Sequence, residues 1–208
     1  MVLQSQIVLG VDLDGLCGDY EGALRRSFAQ RNGWDPANLP PQTTMDAYSE
    51  WGLTFEQFQH AHRTAVVEDH IFRTMEPLPG VSEALWRLSD AGVWIRVITA
   101  RLLFNGIHEA SAADTAYWLD ANNIPYRDLC FITTKPDVGA DLYVDDSPAN
   151  VIALREAGRD TIVFDQPYNR HLSGPRAHSW HDVVHHVEAQ LAAQRRNVPL
   201  PLDEDAPR

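Results

Sequence analysis

Three carboxylates crowd into the stretch VLGVDLDGLCGDY, where Asp12, Asp14 and Asp19 follow an apolar, strand-like run. Like charges at close range repel, and taking them out of water costs more still. A folded chain tolerates such crowding where a cation sits among the acids, or where they are merely solvated loop residues. A second acidic pair, Asp145-Asp146, closes another apolar run, DLYVDD. Thr99-Ala100-Arg101 ends a third run, and Thr133-Thr134-Lys135 closes a fourth. Acids at this density suit a hard divalent cation bound through oxygens, most often Mg²⁺. The hydroxyls, the lysine and loop N–H groups suit a phosphate brought to that cation.

Each piece alone has a plainer reading. Asp-x-Asp-Gly is common in loops, and Gly15 can simply make the turn. A threonine at a strand end is usually structural, and a lone lysine is usually a solvated surface charge. Acids ahead of Ser147-Pro148 are favourable at any helix N-terminus. What singles the set out is that four separate segments end their apolar runs in matched chemistry.

The elements that must position these groups are read from patterning. Residues 6–12 form a short buried strand, and 20–31 a helix ending near Gly33. Residues 34–44 are loop, and Thr54 with Gln57 forms a capping box opening a helix that carries Phe55, Phe58, Ala65, Val66 and Phe72. After the linker EPLPG come a helix stopped by Gly92, a strand over 93–99, a helix around 110–121, and a strand near LCFIT. The strand 141–146 follows, then a helix with Ser147 as cap, Pro148 at its first position and Gly158 at its end. The strand TIVF and a helix over about 180–195 complete the pattern. Strands and helices alternate from residue 76 onward, so the expected fold is α/β, Rossmann-like, with a mostly parallel sheet flanked by helices. Ligands bind such sheets at the carboxyl ends of the strands, where the acids lie. Residues 19–76 contain no good strand and read as a small helical cap inserted after the first strand. The core is then 1–18 with 77–192, and 193–208 an expected mobile tail.

Composition narrows the partners. With 17 basic and 29 acidic residues in 208, the net charge is −12. That argues against a nucleic-acid polymer or an anionic membrane, and leaves a small-molecule partner. The start MVLQSQIVLGV lacks the basic, long apolar pattern of a signal peptide, and no window approaches a membrane span. Cys17 and Cys130 fit no zinc or disulfide spacing and are expected as reduced thiols in the cytoplasm.

DLDG, the strand ending in Thr99, Lys135 and VDD resemble, in order and spacing, the four motifs of the haloacid dehalogenase superfamily of phosphotransferases. The resemblance spans about residues 7–165. More closely, DLDGLCGDYEG resembles the DMDGVLADFEG segment of the 5′(3′)-deoxyribonucleotidase family. EPLPGVSEAL, KPDVGADLYVDD, PYNRH and HSW resemble that family too. The resemblance implies a Mg²⁺-dependent phosphomonoesterase releasing phosphate from a nucleoside monophosphate. It implies Asp12 as the nucleophile forming an aspartyl phosphate, and Asp14 as the acid and base. Asp12, Asp14 (through its carbonyl) and Asp146 would hold the metal, with Asp145 behind them. Thr99, Ala100 and Lys135 would bind the phosphate, and Tyr20 would pack on the base.

Two segments depart from that family. TTMDAYSEWG stands where it has an aromatic pair, and Ala100-Arg101 where it has Ser-Pro. The departures bear on which nucleotide is taken rather than on phosphatase chemistry. Tyr48, Trp51 and Phe55 either stack on substrate or, like Phe58, form the core of the cap. Arg101 either touches the phosphate or makes a surface ion pair. His181 and His185 have a spacing that can bind zinc, but with no acid or cysteine in support they read, with His186, as a solvated helix face. His60 and His62 read as surface or packing residues, and His171 as one that could approach the site. Two other functions fit the same residues: a phosphatase for another small ester such as a sugar phosphate, and a non-catalytic receiver-like module phosphorylated on an aspartate.

Overall fold

Four-residue runs such as Val8–Val11 and Thr161–Phe164 are apolar on both faces, the pattern of strands covered on both sides by helices. The computed structural model describes residues 7–196 and bears this out. Strands β1 (Val8–Val11), β2 (Trp94–Thr99), β3 (Asp128–Phe131), β4 (Leu142–Asp145), β5 (Thr161–Phe164) and β6 (Arg176–Ala177) form one sheet in the order β3-β2-β1-β4-β5-β6. Every pairing is parallel. The chain builds outward from β1 to β2 and β3, then returns to the other side of β1 with β4. The crevice where the order reverses therefore lies between the carboxyl ends of β1 and β4, which are the Asp12 and Asp145-Asp146 ends.

Helices α1 (Tyr20–Asn32), α2 (Ala47–Glu50), α3 (Phe55–Val67) and α4 (Ile71–Thr74) all fall between β1 and α5 (Val81–Asp90). Helices α6 (His108–Ala121), α7 (Pro148–Glu156) and α8 (Trp180–Arg196) connect and flank the later strands. Asp19 caps α1, accepting from the Gly22 N–H at 2.9 Å, so this third crowded acid is a helix cap. The Thr54–Gln57 capping box is present in full. Leu9, Val11, Val97, Leu85, Leu88, Val183 and Trp118 are fully buried in the main core.

Four details differ from the sequence reading. The helix expected to carry Phe72 ends at Val67; His70 then takes a left-handed backbone with φ of 51°, and Phe72 sits on the separate α4. Tertiary bonds hold the break, with Asp69 accepting from Ser27 and Arg31 and His70 paired to the buried Asp114 at 2.8 Å. Ser147 occupies the cap position of α7 but makes no side-chain cap bond; its own N–H donates to Asp145 at 3.0 Å. The short strand β6 is additional. Helix α8 runs to Arg196, into the expected tail, and residues 197–208 lie outside the described residues.

Candidate active site

The turn after β1 is anchored by its buried apolar side chains and by bonds to its carbonyls. Leu13, Leu16 and Cys17 are fully buried, and the N–H groups of Cys17 and Gly18 bond to the Leu13 carbonyl at 2.8 and 3.0 Å. Trp180 and Gln166 donate to the carbonyls of Leu16 and Gly15 at 2.9 and 2.6 Å, pinning the turn from α8 and from the loop after β5. Gly15 has φ of 75°, and a Cβ there would overlap Asp146 Oδ2. Gly15→Ala is therefore expected to lower activity at least tenfold while the chain still folds, as judged by kcat alongside thermal melting. An unchanged kcat would show that the turn yields freely.

Asp12 follows β1, its N–H bonded to the Val144 carbonyl of β4 at 3.2 Å. Its Oδ1 lies 2.7 Å from Lys135 Nζ, which also donates to Asp145 Oδ2 at 2.6 Å. Lys135 is thus a buried ammonium between two carboxylates. Asp145 uses its other oxygen on the Ser147 N–H and is further bonded by Asn150, so it serves to hold Lys135. Asp146 accepts from the Tyr168 hydroxyl, and its carbonyl accepts from Asn169 at 2.8 Å. Asp12, Asp145 and Asp146 each bring a carboxylate oxygen within 4.8 Å of the others.

One ammonium faces two buried carboxylates and a third, Asp12, that is mostly buried, and the protonation behaviour follows. Burial pushes the Asp12 carboxyl up to about 7 against the pull of Lys135, with Asp145 and Asp14 adding to the push. Burial, then Asp12 and Asp145, drives Asp146 well above the carboxylate range. Burial alone would pull Lys135 down, but Asp12 and Asp145 outweigh it and hold the ammonium above the ordinary lysine range. An all-oxygen set that is short of positive charge fits a hard divalent cation.

The sequence-predicted residues are not all brought together in one way. Thr99 ends β2 with its hydroxyl fully buried and without a hydrogen-bond partner, and unlike Ala100 and Arg101 it does not line the cavity beside the acids. The carboxylate of Asp14 stands outside the three-acid cluster and turns to Arg101, with Nη2 to Oδ1 at 2.6 Å. Arg101 is buried, which excludes the surface ion pair considered for it. A cavity of about 700 Å³ is lined by Asp12, Asp14, Lys135 and Asp146 and by Ala100, Arg101, Tyr20, Tyr48, Phe55, Phe58 and Phe72. Trp51 also lines it but is 8% exposed, stacks on Phe28 and donates to the Pro40 carbonyl, as a residue of the cap core would. His171 is exposed and does not line the cavity, whereas Gln166 and Tyr168 of the same loop do. His62, expected at the surface or in packing, lines the cavity, pairs with Tyr20 at 2.9 Å and is pulled down to about 4 by burial. No local sequence signal marks Gln166, Tyr168, Asn169 or Trp180 as site residues beyond the family-like stretches PYNRH and HSW that hold three of them.

Known proteins resemble this chain in sequence and in fold. The family model for "5' nucleotidase, deoxy (Pyrimidine), cytosolic type C protein" matches residues 6–194. A Chlorobaculum tepidum protein named "Putative 5'(3')-deoxyribonucleotidase" is 42% identical over 189 residues, covering 89% of this chain and 92% of its own length. The human mitochondrial 5'(3')-deoxyribonucleotidase is 26% identical, covering 83% of this chain and 78% of its own. Among solved structures, a haloacid dehalogenase-like hydrolase from Streptococcus pneumoniae superposes with a TM-score of 0.60 at 13% identity, over 88% of this chain and 98% of that one, a likeness of fold. With the matched residues spanning β1 to α8, the chain belongs to the deoxy, cytosolic type C 5′-nucleotidase family of phosphoric monoester hydrolases, on the haloacid dehalogenase fold.

Proposed function

We propose that this enzyme is a Mg²⁺-dependent phosphatase that releases phosphate from a deoxyribonucleoside monophosphate through an aspartyl-phosphate intermediate. The observation that carries the reading is the Asp12 carboxylate, 2.7 Å from the buried Lys135 ammonium at the mouth of the sheet crevice. Asp12 attacks phosphorus in line, forming an O–P bond as the bond to the leaving oxygen breaks. Asp14 gives that oxygen a proton, and later takes one from the water that hydrolyses the aspartyl phosphate. Lys135 and the Thr99 hydroxyl bind phosphoryl oxygens, together with the backbone N–H of Ala100. Asp12, Asp146 and the Asp14 carbonyl would hold Mg²⁺, which when bound offsets the negative charge of both phosphate and carboxylates.

In this reading residues 19–76 are a cap over a core of 1–18 and 77–192, and the cap reads the leaving group. Tyr20 and Phe72 lie in a stacked pair at 6.1 Å between ring centres, and both line the cavity. With Phe72 buried behind it and covered by Arg101, Tyr20 is the ring of this pair offered to a base, and a base laid against it gains about 1–3 kcal/mol. Among the described residues no helix is long and apolar enough to cross a membrane. Cys17 and Cys130 are both free, in keeping with a cytoplasmic place of work.

The test is phosphate release from deoxy- and ribonucleoside 5′- and 3′-monophosphates and several sugar phosphates, with Mg²⁺ and with chelator. Release that needs the metal and favours deoxynucleotides is expected. Equal rates on sugar phosphates would reassign the substrate, and a long-lived phosphorylated Asp12 with no turnover would mean a receiver-like role.

A further inference from the structure

Arg101 is one of the most completely engaged side chains in the protein, and the chemistry proposed above leaves it without a task. Its side chain is 1% exposed. Nη2 donates to Asp14 Oδ1 at 2.6 Å, and Nε lies 3.0 Å from Oδ2 and 3.2 Å from Oδ1. Nη1 donates to Thr115 Oγ1 of α6 at 2.9 Å, and Nη2 also meets Met75 Sδ at 3.3 Å. The guanidinium lies over the Phe72 ring, 4.0 Å from its centre. Four of the five guanidinium N–H groups are thus taken, and the edge that could grip a phosphoryl oxygen through two bonds is already on Asp14.

The unequal hold on the two Asp14 oxygens is informative. Oδ1 has two bonds, one of them short, whereas Oδ2 has a single bond at 3.0 Å. Adjusting both side-chain torsions of Asp14 together would keep Oδ1 near Nη2 and turn the more weakly held Oδ2 to the cavity that Asp14 lines. The wall behind the guanidinium comes from α4 and the residue after it, Phe72 and Met75, and from Thr115 on α6. The orientation of Asp14 is thereby referred to the end of the inserted helices, and Phe72 itself faces the cavity.

We propose that Arg101 is a positioning residue for Asp14, holding one carboxylate oxygen on the α4–α6 wall so that the other meets the leaving oxygen of the substrate. The proposal rests on the reading of Asp14 as acid and base. It predicts an effect confined to substrates whose leaving group needs a proton. An alkoxide leaving a nucleotide does; para-nitrophenolate does not.

The test compares Arg101→Met and Arg101→Lys with the parent, on a deoxynucleoside monophosphate and on para-nitrophenyl phosphate, in Mg²⁺. On the nucleotide, kcat should fall on the order of ten- to a hundredfold, and on the aryl ester at least tenfold less, with KM nearly unchanged on both. Lysine, lacking the fork, should recover only part of the loss, and added guanidinium should partly rescue the methionine variant. Asp14→Asn should show the same selectivity, and the double variant should be no slower than Asp14→Asn alone. If Arg101→Met does not fold, Thr115→Val removes only the Nη1 partner and should give a smaller loss with the same selectivity. Equal losses on both esters, a raised KM with kcat kept, or additive losses in the double variant would overturn the proposal. Should Asp14→Asn itself slow both esters equally, the acid role fails; should it be selective while the Arg101 variants are not, only the positioning role fails.

Discussion

Asp12→Asn is expected to abolish turnover while leaving the metal-free protein at least as stable as the parent. The amide keeps the shape of the side chain and an oxygen for Lys135, which lies 2.7 Å away and also holds Asp145. It cannot attack phosphorus, and the other nearby carboxylates are bound elsewhere: Asp145 to Lys135, Asp146 to Tyr168 and Asp14 to Arg101. The loss in kcat should be on the order of 10⁴-fold or more, as for other covalent nucleophiles. More than a few per cent of residual activity would rule Asp12 out. The stability side follows from linkage. Burial raises the Asp12 carboxyl from 3.8 to about 7, so within that window the folded chain keeps a proton that the unfolded chain has released. Folding stability contributed by this group is present below the lower value and is lost as the pH rises through the upper one. In chelator, the melting temperature of the parent should therefore fall across that window and that of the Asn variant should fall less. A steeper fall in the variant would mean that Asp12 is a net stabilising anion. Opposite signs for activity and stability are what a carboxylate held in place for chemistry should give.

The convergence of these groups was legible in the sequence because parallel sheets make it so. Each apolar run stops abruptly at a polar group, and parallel strands bring those stops to one edge, so Asp12, Thr99, Lys135 and Asp145-Asp146 could be assembled from one dimension. The capping box at Thr54 and the left-handed glycine after α1 were equally local, and both are present. What escaped was set by distant partners. Glu68-Asp69-His70 contains no glycine or proline, and the helix breaks there because Ser27, Arg31 and Asp114 take the side chains of Asp69 and His70. The strand β6 is two residues long, and its Arg176 is tied to Asp165 and Asn169, a pairing with no hydrophobic pattern to announce it. Ser147 carries the residue type of a cap and holds the cap position, yet its side chain makes no cap bond. Arg101 lies 87 residues from Asp14, and no local rule links them. The polar hold of Tyr168, Gln166 and Asn169 on the site is likewise a property of the folded loop, visible beforehand only as a family-like stretch.

Lys135→Met should be the most damaging change to the site as a whole, and its two effects can be separated by the metal. The ammonium is 2% exposed and lies within 2.7 Å of Asp12 and 2.6 Å of Asp145, with Asp146 in the same acidic cluster. Removing it leaves buried carboxylates without their cation, which typically costs roughly 3–5 kcal/mol of folding stability. Denaturant unfolding in chelator measures that loss. Mg²⁺ should return part of it, because a cation that binds only the folded state stabilises by mass action and would enter where the ammonium had offset charge. Activity should not return with it. A metal-bound site still lacks the positive donor aimed at the phosphoryl oxygens, and losing one such donor costs about two to three decades in kcat. The expected variant is therefore one that Mg²⁺ refolds but does not reactivate. If it were as stable as the parent in chelator, the three carboxylates would not depend on Lys135 for compensation, and their crowding would need another cause. If Mg²⁺ restored both stability and turnover, Lys135 would be a scaffold for the empty site rather than a group that acts on substrate.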